Sequence, residues 1–152
     1  MNQILFLTAC VNPQGMAYTK LNNPEVRLQQ YKTALNWYLT NTDFQILLVE
    51  NSNWDFSADY RAYLDSGRLE LLTFDGNNYD RSRGKGYGEA IIMEYGLQHS
   101  KLIRNMDSSE LLIKVTGRLF CDNINEMVKS YHKTDILYAN IAKDDWGGQY
   151  LQ

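Results

Sequence analysis

A strand in which every successive side chain is apolar must be covered on both faces, and that condition is the tightest constraint on this fold. Ile4 to Ala9, "ILFLTA", is the first such run. A second buried strand is expected at Phe44 to Glu50 ("FQILLVE"), and further strands at Leu69 to Phe74, Glu110 to Arg118 ("ELLIKVTGR"), which is taken as an otherwise apolar central strand, and Ile136 to Ile141. Helical signals lie between them. Asn23-Pro24-Glu25 combines a cap residue, proline at the first helical position and an early acid. From there Leu28, Tyr31, Leu35, Tyr38 and Leu39 recur at three- and four-residue steps to about Thr40. A short helix is expected around Ala58 to Asp65, and a longer one from near Tyr87, where Ala90, Ile91, Ile92, Met93, Tyr95 and Leu97 are apolar around most of the circumference. Ile124, Met127, Val128 and Tyr131 mark a further amphipathic helix. Five strands alternating with helices predict an α/β fold, a three-layer α/β/α sandwich with a mostly parallel central sheet, because parallel neighbours need crossover connections.

The 152 residues, 44% of them hydrophobic, suffice for one substantial core, so a single domain spanning 1–152 is expected. Fifteen basic residues against eighteen acidic ones give a formal charge of -3, which supplies no overall field for nucleic acid or anionic lipid. Cys10 and Cys121 lack metal-site spacing and suit free thiols in a reducing cytosol. No segment approaches the roughly 18 apolar residues of a membrane span, and the expectation is a soluble, cytoplasmic protein that reaches the inner membrane face only through partners.

Ligands of such sheets gather beyond the carboxyl ends of the strands. The segments after Ala9, Glu50, Phe74 and Thr116 therefore carry the functional reading. In "NNYDRSRGKGYGE", Gly84, Gly86 and Gly88 permit close approach to backbone, and Arg81, Arg83 and Lys85 add charge suited to a diphosphate. The competing reading is a flexible turn with solvated charges. The spacing matches neither a dinucleotide fingerprint nor a P-loop. "VENSNWD" offers Glu50, Asn51, Ser52 and Asp55 to a base edge or ribose, or else forms a plain Asx turn. Lys114, Thr116 and Arg118 alternate along one run and can project to one face, toward a cleft, carboxylates or an anionic ligand. His99 and His132 fall near helix ends, where a charge partner is a more natural role than catalysis. Tyr79 and Tyr87 flank the basic segment and are placed to meet a base or sugar.

The order "ILFLTACVNP", "ILLVENSNWD", "NNYDRSRGKGYGEAIIMEYGL", "LLIKVTGRLFCDNI" resembles the nucleotide-sugar-binding half of GT-A glycosyltransferases, in particular bacterial enzymes of surface-polysaccharide synthesis, over roughly Ile4 to Ile141. The resemblance implies a GT-A, nucleotide-diphospho-sugar-transferase-like fold, a nucleotide-sugar donor, and a saccharide or lipid-linked acceptor. It implies that Thr8, Ala9 and Val11 border the nucleoside, that Glu50 and Ser52 lie near base or ribose, and that Arg81 and Lys85 approach the diphosphate or sugar. The family's Asp-x-Asp motif, which holds Mn²⁺ or Mg²⁺ across the diphosphate, is missing where "KVTGR" runs. Metal dependence is thereby left open, with Lys114 and Arg118 available to neutralise a departing diphosphate. The chain also stops soon after the fifth expected strand, where the acceptor half usually follows. Asp107, Asp122, Asp144 and Asp145 are the candidate bases. The alternatives are a non-catalytic nucleotide or nucleotide-sugar binding module, a partial domain completed by a partner, and an interaction domain without a small ligand.

Overall fold

The computed structural model describes residues 3–16 and 19–131. The chain divides into two compact units, Met1–Cys121 and Asp122–Gln152. The first contains β1 (Gln3–Ala9), α1 (Pro24–Asn41), β2 (Gln45–Glu50), α2 (Arg61–Asp65), β3 (Leu69–Thr73), α3 (Gly84–His99), α4 (Lys101–Arg104) and β4 (Leu111–Thr116), with single 3-10 turns at Ser57–Tyr60 and Arg81–Arg83. In the second unit the described helix is α5, Ile124–Ser130. The strand expected at Ile136 to Ile141 lies outside the described residues.

The four strands form one sheet of order β3-β2-β1-β4, and every pairing is parallel. Ile4 opposes Gln45 and Ala9 opposes Glu50, while on the other side Gln3 opposes Leu111 and Thr8 opposes Thr116. The path β1 to β2 to β3 moves one way across the sheet, and the connection from β3 to β4 returns past all of it. Right-handed crossovers in opposite directions put α1 and α3 on opposite faces. Side-chain alternation agrees: Ile4, Phe6, Leu47 and Val49 cluster with Ile92 of α3. On the other face Leu5, Leu7, Ile46 and Leu48 are fully buried.

Helix α1 starts as its sequence demands. The Asn23 side chain accepts from the Glu25 and Val26 backbone N–H groups at 2.9 and 3.2 Å, with Pro24 at the first helical position. Its buried stripe is Arg27, Tyr31, Ala34, Leu35, Tyr38 and Leu39, so an arginine occupies the place expected for Leu28. Helix α3 begins three residues earlier than near Tyr87. It buries a narrow seam of Gly88, Ile92 and Gly96 in place of most of its circumference, and Leu97 is exposed. β4 is an edge strand among the described residues, not a central one, which leaves Lys114 and Thr116 on the exposed side of its alternation.

Candidate functional site at the carboxyl edge

Hydrogen bonding continues past the strand ends and draws the exits of all four strands together. The Asn51 N–H donates to Ala9 O at 3.1 Å, Phe74 N–H to Glu50 O at 3.0 Å, and Gly117 N–H to Thr8 O at 3.0 Å. A Cβ at Gly117 would sit 2.5 Å from Thr8 O, so only glycine lets the β4 exit lie this close to β1.

Glu50 organises the exits of β1 and β2 from within. It is fully buried, and its Oε1 accepts from Val11 N–H at 3.0 Å, Ser52 N–H at 2.9 Å and the Ser52 hydroxyl. Oε2 accepts from Trp54 N–H at 2.8 Å. Ser52 Oγ in turn accepts from Asn12 N–H at 2.9 Å. Buried polar groups need such partners, and the carboxylate replaces the ladder where the chain turns away from the sheet. Glu50 and Ser52 are thus engaged by their own chain, while Thr8, Ala9 and Val11 are all buried.

Three arginines surround the β1 exit. Arg27 is only 6% exposed, yet it meets no carboxylate: its Nε and Nη2 donate to Cys10 O at 2.9 and 2.7 Å, and Nη1 to Leu21 O at 3.2 Å. The Tyr31 hydroxyl accepts from Cys10 N–H at 2.9 Å and sits 3.3 Å from Arg27 Nη2. Arg118 donates to Gln30 Oε1 at 3.0 Å, on α1 one turn beyond Arg27. Arg81 donates to Asn77 Oδ1 at 3.0 Å and lies 4.8 Å above the Tyr79 ring, and Asn77 Nδ2 donates to Asn12 O at 2.9 Å. The ion pairs among the described residues are Lys32 with Asp59 and Lys114 with Glu89, so none of these guanidinium groups has a carboxylate partner there. Their fields meet at Cys10. Burial pushes that thiol up to about 11, against the pull of Arg27 and, more weakly, Arg81 and Arg118, while Glu50 adds to the rise.

The remaining basic segment is more local. Arg83 lies 4.0 Å over the Tyr87 ring and donates to its hydroxyl at 2.9 Å, and Lys85 is exposed on the first turn of α3. The glycines divide by role. Gly84 has φ of +79°, whereas a Cβ at Gly88 would lie 2.4 Å from the Tyr79 hydroxyl. Gly88 is thus a packing requirement, and the expected ligand-approach loop is already helix from Gly84.

Where β1 meets β4 and strand order reverses, α3 presents Glu89. Its Oε1 accepts from Thr8 Oγ1 at 2.7 Å and pairs with Lys114 Nζ. Oε2 accepts from no described residue. Lys114 and Thr116 share the α3 face, because their β1 partners Phe6 and Thr8 do. Arg118 lies beyond the strand and reaches α1, so the three alternating residues do not project to one face.

Asp107 precedes β4 and therefore stands at the amino edge of the sheet, away from this site, where it accepts from Ser109 N–H at 2.6 Å. Asp122 belongs to the second unit, and Asp144, Asp145 and His132 lie outside the described residues. Among the described residues no three His, Cys, Asp or Glu side chains gather as metal ligands, and no helix is long and apolar enough to cross a membrane. Among the described residues the donor set at the edge does not fit a divalent cation. Arg27, Asn77 and Glu89 were missed by sequence reasoning. Arg27 had a detectable signal in its helical phase with Tyr31 and Tyr38. Compared with known proteins, the chain matches no family model, no curated protein and no solved structure.

Proposed function

We propose that the carboxyl edge binds a nucleotide-activated sugar and that the protein is a glycosyltransferase-like donor-binding domain of GT-A type. The observation that carries this reading is the trio Arg27, Arg81 and Arg118 around the β1 exit, each held by neutral acceptors. Cations that touch no carboxylate directly leave a positive potential for an anion, offset in part by the buried Glu50. Arg81 and Arg118, half-buried, would contact a diphosphate, and Arg27 would act on it mainly through its field. The parallel sheet with its strand-order reversal is where such ligands sit in open α/β folds. In transfer, an acceptor hydroxyl would attack the anomeric carbon and pass its proton to solvent water. The bond from that carbon to the diphosphate oxygen would break, and the arginines would stabilise the departing nucleoside diphosphate.

A second reading, a donor-binding module without turnover, is favoured by one observation: Asp107, a candidate base, stands at the opposite edge of the sheet. Calorimetry with UDP-, GDP-, CMP- and dTDP-sugars, in EDTA and in Mn²⁺, tests both. Saturable binding of one donor, weakened at least tenfold in Arg118→Ala and reduced by added salt, is expected. Absence of binding to every donor would end both readings. Binding without hydrolysis or transfer in the presence of acceptor extracts selects the module.

A further inference from the structure

We infer that Glu89 recognises the hydroxyl groups of the bound sugar and sets which sugar is accepted. This rests on the donor-site reading above and adds to it the part of the ligand that lies away from the arginines.

The carboxyl edge has two electrostatic characters. Around Cys10 the fields of Arg27, Arg81 and Arg118 meet, opposed in part by Glu50, and the half-buried Arg81 and Arg118 remain within reach of a phosphate. At the strand-order reversal Glu89 offsets Lys114, so that point has little attraction for an anion. A carboxylate there can only accept hydrogen bonds. Oε1 is fixed from β1 by Thr8 and from β4 by Lys114, which orients the group, while Oε2 takes no described donor. The side chain is 36% exposed, enough for a ligand to reach. An open carboxylate oxygen beside a neutralised pair suits a ligand rich in donors and without charge, which describes a sugar ring. The spacing also fits a ligand with an anionic end and a hydroxylated end. Thr8, which holds Glu89, and Cys10, where the arginine fields meet, are two residues apart along one line of chain, about 6.6 Å at strand spacing. Hydroxyl donors to a carboxylate make charge-assisted bonds, and these discriminate well between ring epimers because a misplaced hydroxyl leaves the acceptor unpaired.

The test measures each nucleoside diphosphate beside its sugar conjugates by calorimetry: UDP with UDP-glucose and UDP-galactose, GDP with GDP-mannose, dTDP with dTDP-glucose. In the unaltered protein one conjugate should bind at least tenfold more tightly than its bare diphosphate. Glu89→Gln should remove that preference while the bare diphosphate keeps its affinity within threefold. Thr8→Val, which releases the orienting hydroxyl, should remove part of it. Thermal unfolding of each variant reports whether the fold is retained. Equal loss for diphosphate and conjugate, or an unchanged preference in Glu89→Gln, overturns the inference and leaves the donor site standing. Failure of the unaltered protein to bind any diphosphate or conjugate overturns both.

Discussion

Two glutamates stand at the same edge of the sheet and are used in opposite ways. Glu50, at the exit of β2, is fully buried, and both of its oxygens are taken by backbone N–H groups of the adjoining turns. Glu89, between β1 and β4, is partly open and spends one oxygen on Thr8 and Lys114. The first carboxylate replaces secondary structure where the ladder ends; the second is a side chain held ready on a scaffold. Burial together with the identity of the donors, not charge or position along the edge, separates the two.

The largest effect expected on this contrast is from Glu50→Ala. It strips three backbone donors of their acceptor at a buried site, and each orphaned group costs about 1–3 kcal/mol. A net loss of about 3–5 kcal/mol should appear as a melting temperature lower by roughly 6–20 °C. If Glu50→Ala melted like the unaltered protein, the structural half of the comparison would be wrong.

Alkaline pH should weaken the Glu50 side next. Burial lifts the Cys10 thiol from its ordinary 9.0 to about 11. Below pH 9 the thiol is protonated in both folded and unfolded chains, and stability does not depend on it. From pH 9 to about 11 the unfolded chain loses its proton first, so stability falls with rising pH by about 2–3 kcal/mol. Tyr31, Tyr38 and Tyr60, all raised by burial above 10.0, extend the loss in the same direction at higher pH. Denaturant titrations at pH 8, 9, 10 and 11 should show this slope, and Cys10→Ala should flatten its first part.

Gly117→Ala should follow, at about 1–3 kcal/mol, as its methyl group meets a backbone carbonyl that cannot move without disturbing β1. The smallest effect is expected on the other glutamate. With the side chains of Lys114 and Glu89 31% and 36% exposed, solvent screening leaves their ion pair worth less than about 1 kcal/mol. Glu89→Gln should therefore melt within a few degrees of the unaltered protein, even where ligand preference is lost. A large drop in melting temperature would place Glu89 beside Glu50 as a structural group.

The elements that bury both faces were the easiest to read. "ILFLTA" and "QILLVE" became β1 and β2 with their interiors fully covered, because a continuous apolar run admits few other settings. Asn23-Pro24-Glu25 marked the start of α1 to the residue, since capping is a local interaction. Pairing order is not local, and it decided what was misjudged. β4 reads like a central strand until its neighbours are known, and only then do Lys114 and Arg118 separate to different faces. Glu89 drew no attention within "GYGEAIIMEY", because its significance depends on Thr8, 81 residues earlier. Gly84 to Gly88 read as a loop on propensity, yet Tyr79 packs over Gly88 and the helix runs through. Arg27 is buried because its acceptors, Cys10 O and Leu21 O, lie outside its own helix, which helical phase alone does not reveal.

The register of β1 has a consequence for how the molecule comes into being. Gln3 pairs with Leu111, so this ladder joins segments 108 residues apart (111 − 3), while β1 and β2 meet across a single crossover. Closing the longer loop costs more entropy before any contact offsets it. During synthesis β1, β2 and β3 can assemble with α1 and α2 while β4 is still within the ribosome. Lys114 then joins Thr8 and Glu89 only when β4 docks, so among the described strands the reversal point is the last to be completed.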